Sequence, residues 1–125
     1  MKRYTEFDLR GKHFALALTI GAQIELEETF GGFNLSEVLY CEDLKTVYKN
    51  TVDVFTKLSE EGAHYCKMFE EKEVDVLPKE ELYRFFTLGD INPVREAIVA
   101  ACIAGWKRDV ELEESDAKNL QTPGE

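Results

Sequence analysis

The chain has 125 residues, enough for one domain that buries roughly two-thirds of its unfolded surface without staples. Its apolar fraction of 44% and its fourteen aromatic residues (Phe 8, Tyr 5, Trp 1) exclude wholesale disorder. A formal charge of −10, from 25 acids and 15 bases, repels phosphate backbones and anionic lipid, so nucleic acid and membrane are poor partners for the chain as a whole.

The first twenty residues predict a β-hairpin. Thr5, Phe7 and Leu9 alternate with more polar neighbours, Arg10-Gly11-Lys12 supplies the turn, and Phe14, Leu16, Leu18 and Ile20 alternate with small residues. A helix follows over residues 20–30, capped by Thr19 and stopped by Gly31-Gly32. Asn34 and Glu37 resemble a capping box and open a short helix that ends at Leu39 or Tyr40.

The clearest helix covers residues 43–61, where Leu44, Val47, Tyr48, Thr51, Phe55 and Leu58 form one apolar stripe, with Gly62 as its stop. A further amphipathic helix is predicted over 63–72, and an extended stretch over 73–77. Pro78 suits the first position of a helix over 79–86. Asn92 and Pro93 repeat that logic, as N-cap and first residue of a final helix to residue 108. This last helix is apolar nearly all round and is expected to sit centrally. The expected fold class is therefore α+β: one domain over residues 1–110, with a hairpin (3–20) followed by a mainly α-helical body (20–110). Residues 111–125 read as a polar, flexible tail.

Motifs that carry chemistry are scarce. His64 and Cys66 are the only close His/Cys pair, with no second pair at zinc spacing, so no metal is expected. Cys41, Cys66 and Cys102 are odd in number and far apart, which points to reduced thiols in a cytoplasmic protein rather than a disulfide framework. No nucleophile elbow or phosphate-binding loop occurs, and neither a catalytic site nor a cofactor is expected. No apolar run approaches the ~20 residues that span a bilayer.

Glu27 falls toward the apolar arc of its helix. It reads either as a partly buried carboxylate bonded to backbone or as a partner contact. Between Glu60 and Glu81 there are eight acids against three bases, so half the excess charge lies in that stretch, among aromatic and methionine side chains. Such a mixture suits a basic amphipathic helix. The candidate partner-binding residues are Glu27, Phe69, Tyr83, Phe86 and Trp106. The free edge of the hairpin offers a route to self-association.

The opening segment carries a resemblance. Gly11-Lys12-His13-Phe14, then Leu16-x-Leu18-Thr19-Ile20-Gly21-Ala22, Leu26-Glu27-Glu28 and Phe30-Gly31 resemble the tail assembly chaperones of long-tailed (siphophage-type) phages, prophages and gene transfer agents. The likeness covers residues 6–40. It implies a non-enzymatic role in a bacterial host cytoplasm: binding the tape-measure protein, and with it tail-tube protein, and keeping them soluble during tail assembly. The alternative is an unrelated acidic protein-binding or inhibitor module. That alternative predicts acids gathered into one continuous surface. A small enzyme would instead show convergent carboxylates in a pocket around Glu27.

Overall fold

A computed structural model describes residues 2–107. The chain runs β1 (Thr5–Leu9), β2 (Lys12–Leu16), α1 (Ile20–Phe30), α2 (Leu35–Leu39), α3 (Leu44–Glu70), α4 (Lys79–Phe85), a 3-10 turn (Leu88–Asp90) and α5 (Ile91–Trp106). This is the expected α+β arrangement of an antiparallel hairpin followed by a mostly helical body. The expected tail over 111–125 lies outside the described residues.

The hairpin pairs Thr5 with Leu16, Phe7 with Phe14 and Leu9 with Lys12. Its turn is tighter than the sequence suggests. Arg10 (φ 45°) and Gly11 (φ 86°) make the whole connection, and Lys12 already belongs to β2. Both faces of β2 are covered. Phe14, Leu16 and Leu18 enter the main core, while Ala15 and Ala17 pack with Tyr4 and Cys66 in a smaller cluster. Ile20 does not continue the strand face: Thr19 turns the chain into α1, and Ile20 is 82% exposed.

Helix α3 organises everything else. The expected stripe residues Val47, Thr51, Phe55 and Leu58 are buried, whereas Leu44 is exposed. The predicted stop at Gly62 is wrong. The helix runs on through Gly62 to Glu70, 27 residues in all, absorbing most of the separate helix expected over 63–72. Gly62 is present because β2 crosses the helix there. A Cβ at this position would stand 1.8 Å from the carbonyl oxygen of Ala15. One turn earlier, the Ala17 amide donates to the Leu58 carbonyl at 3.0 Å. The helix-propensity cost of an interior glycine, about 1 kcal/mol, is offset by this backbone contact.

Gly105 on α5 does the same from the other side. A Cβ there would meet the Leu18 carbonyl oxygen at 2.7 Å and the Leu18 Cβ at 2.8 Å. The stretch from Ala15 to Leu18 is thus gripped between two helices, each with a glycine at the contact. Above it, Phe14 and Phe86 meet Phe55 edge-on, with ring centroids 5.1 and 5.0 Å apart.

The 73–77 stretch closes the outer edge of β2: the Asp75 amide donates to the His13 carbonyl at 2.8 Å. The His13 amide in turn donates to the Asp75 carboxylate at 2.7 Å. Three expectations at α4 and α5 are corrected. Helix α5 begins at Ile91 with Asp90 as its N-cap, so Asn92 and Pro93 lie inside its first turn, where the missing proline N–H costs nothing. Likewise Pro78 stands at the N-cap of α4 rather than inside it. Finally, α5 is not central. Val94, Ala97, Ile98, Ala101 and Cys102 are buried, while Ala100 and Ile103 face outward.

The glycine contacts give a graded expectation for urea unfolding. Gly62→Ala should cost about 3 kcal/mol or more, since backbone rather than a flexible side chain must move. Gly105→Ala should cost about 1–3 kcal/mol. Gly21→Ala, whose added Cβ meets nothing nearer than 3.9 Å, should be neutral or stabilise by up to about 1 kcal/mol.

Candidate functional site

The five sequence-predicted residues fall into three places. Tyr83 and Phe86 come together on one cavity wall. Glu27 and Trp106 come together through Gln23, whose amide donates to the Glu27 carboxylate at 2.7 Å and accepts the Trp106 indole N–H at 3.0 Å. Phe69 stands apart near the end of α3, 65% exposed, with its ring 4.7 Å from that of Tyr65.

Glu27 is exposed, contrary to the partly buried position its place on the helical wheel suggests. The wheel misleads because α1 meets the core through Ala22, Leu26 and the half-buried Phe30, and Ile20 and Ile24 stay outside. Phe86 is half-buried against Phe55 and divides its surface between core and cavity. Tyr83 and Trp106 keep nearly half of their surface exposed.

The cavity has a volume of about 130 Å³ and lies between α3, α4, the 3-10 turn and α5. Its wall is mainly apolar and aromatic: Tyr48 and Val52 from α3, Tyr83 and Phe86 from α4 and its C-cap, Leu88 and Val94 beyond. Leu88 stands at its mouth, 70% exposed. Thr51 also lines it, and its buried hydroxyl oxygen makes no hydrogen bond.

One charged group lies in the wall, and it is fully engaged. The Asp90 carboxylate accepts from the Arg10 guanidinium (2.8 Å), the Thr87 amide (2.7 Å) and the Thr87 hydroxyl (3.1 Å). The Arg10 bond, followed by the Thr87 bonds, holds the Asp90 carboxyl down at about 2. The conformation of the hairpin turn aims Arg10 at this corner, and the guanidinium also stacks on the Phe85 ring at 4.8 Å.

No family model, curated protein or solved structure matches the chain. Among the described residues no group of three or more His, Cys, Asp or Glu is placed to hold a metal ion. Among them, too, no helix is long and apolar enough to cross a membrane. The three cysteines are free thiols; Cys66 and Cys102 are buried, and burial pushes the Cys102 thiol up to about 12.

Tyr48, Leu88, Arg10 and Asp90 were not singled out as site residues from sequence. Thr87-x-x-Asp90 has capping-box spacing and was a readable signal for the corner. The Arg10 contact, across 80 residues, left none.

Because the folded Asp90 pKa lies below the ordinary 3.8, its contribution is complete above that value and is lost as pH falls through about 2. Asp90→Asn should cost about 1–2 kcal/mol at neutral pH. The gap between wild type and variant in urea unfolding should narrow steadily below pH 4, reaching near zero toward pH 2.

Proposed function

We propose that the chain is a non-enzymatic protein-binding assembly factor, and specifically a phage tail assembly chaperone that holds the tape-measure protein, and with it tail-tube protein, soluble until the tail forms. The observation that carries this reading is the set of large apolar side chains left outside on an acidic protein. Ile20, Ile24, Met68, Phe69, Leu88 and Trp106 are each about half exposed or more, on a chain of net charge −10. Apolar contacts of this kind suit helical faces of a partner, and the net charge keeps the binder dispersed.

The narrower reading draws on the resemblance over residues 6–40, and the motif residues hold defined places in the fold. Leu18 lies against Gly105. The Thr19 hydroxyl accepts from the Ala22 amide at 3.1 Å and donates to Glu61 at 2.7 Å. Gly31 ends α1 in the left-handed conformation.

An acidic inhibitor that mimics nucleic-acid charge is less well supported. Its acids would form one surface, but here lysines break them up: Lys57 pairs with Glu25 and Glu61, Lys79 with Asp53, and Lys72 with Glu6. For an enzyme, Glu27 offers only an exposed carboxylate bonded to Gln23.

Co-expression with helical tape-measure fragments tests the proposal. The chain should move a fragment that is insoluble alone into the soluble fraction, and a triple variant of Ile24→Asp, Phe69→Asp and Trp106→Ala should lose most of that effect while remaining folded. A fragment that stays insoluble beside the wild-type chain would count decisively against chaperoning.

A further inference from the structure

Helix α1 buries Ala22 and Leu26, and its opposite side is not a plain solvated face. Ile20 and Ile24 stand out from it, 82% and 52% exposed. Glu27 and Glu28, also exposed, continue the same row at helical spacing. Beside the row stands Trp106, the only tryptophan in the chain.

Trp106 is half exposed and yet held in place. Its indole N–H donates to the Gln23 side chain at 3.0 Å, and the Phe33 ring supports it at 6.5 Å. Gln23 is one turn from Ile20 and next to Ile24, so the indole and the two isoleucines share one surface. A tryptophan whose orientation is fixed in advance loses little freedom on contact, and tryptophan is enriched among the residues that anchor interfaces.

The charge on this surface is unmatched. Glu25, on another side of α1, is paired with Lys57 at 3.1 Å. Among the described residues, Glu27 meets only the neutral Gln23 amide, and Glu28 has no ion pair or hydrogen bond from its side chain. Both carboxylates stand in the last turn of α1, which carries no base, so they face the negative end of the helix dipole. Within the chain that placement is unfavourable. A cation brought by a partner would reverse its sign.

We infer that the surface formed by α1 and Trp106 is the docking site for a basic amphipathic helix of the partner protein. Apolar side chains of that helix lie against Ile20, Ile24 and Trp106, and its lysines or arginines meet Glu27 and Glu28. The inference rests on the protein-binding reading above and gives it a place. Other occupants carry the wrong charge. Residues 108–125 follow directly on Trp106 and Lys107, but they hold six acids against two bases. A second copy brings a charge of −10.

Trp106 is its own reporter. The full-length chain is titrated at low salt with a helical peptide free of tryptophan and tyrosine, bearing a leucine stripe flanked by lysines. A scrambled peptide of the same composition is the control. The striped peptide should shift Trp106 emission to the blue and bind about tenfold or more tightly than the scrambled one. Glu27→Lys combined with Glu28→Lys should weaken it about fivefold, an effect that fades as salt rises. A peptide with glutamate in place of lysine should bind this double variant as the lysine peptide binds wild type. Lysines suit the C-terminal end of a helix, so the melting temperature should hold or rise. As a second variant, Ile24→Asp should weaken the striped peptide about tenfold.

Equal binding of striped and scrambled peptides, or charge reversal with neither loss nor rescue by the glutamate peptide, would overturn the inference. Acrylamide quenching of the chain alone decides the other occupants. An indole shielded at every concentration is covered by the chain's own residues, and one shielded only as concentration rises is covered by a second copy. Either result overturns the inference, and an open indole supports it. Tape-measure rescue that survives both variants would overturn this surface as the partner site while leaving chaperoning intact. Failed rescue by the wild type, with peptide binding and the charge swap preserved, would sink chaperoning and support the surface.

Discussion

The close passage of β2 across α3 at Gly62 is the constraint on which the other contacts depend. A side chain of any size there would lift the strand off the helix by more than an ångström. The Ala17–Leu58 backbone bond would then open, and Phe14 would withdraw from Phe55. Gly105 makes the matching approach from α5, so the strand cannot shift toward one helix without leaving the other. The aromatic layer of Phe7, Phe14, Phe55, Phe85 and Phe86 is assembled on that fixed strand.

This arrangement also explains which parts of the molecule were readable beforehand. Period-two alternation revealed the hairpin, and glycine and capping signals revealed α1 and α2, because these features are local. Gly62 was misread because an interior glycine gives the same signal whether it ends a helix or admits a neighbouring backbone. Only the position of Ala15, far away in sequence, decides between them. Asn92-Pro93 was misplaced by a similar competition. Thr87 and Asp90 start the chain turning earlier, and Arg10 fixes Asp90 in that role.

The candidate site was half legible. Tyr83 and Phe86 were marked by being aromatic beside charge, and they do share a cavity wall. Thr51 was visible as a member of an apolar stripe, but its unpaired hydroxyl depends on neighbours from three other segments. Glu27 and Trp106 were selected for separate reasons and meet through Gln23, which had no signal of its own. Sequence patterns report which side chains face inward. They do not report which of them find a partner.

The Arg10–Asp90 contact has a consequence for the order in which the molecule can be made. The tip of the hairpin leaves the ribosome well before its anchor, which lies 80 residues later. The strand behind it must also wait for Gly62 and then Gly105. Until Phe85 and Phe86 emerge at the end of α4, Phe7, Phe14 and Phe55 have no complete layer to join, and a nascent chain carries that aromatic surface uncovered. The domain therefore closes late and as a unit, and a truncation inside α5 leaves an open core rather than a smaller protein.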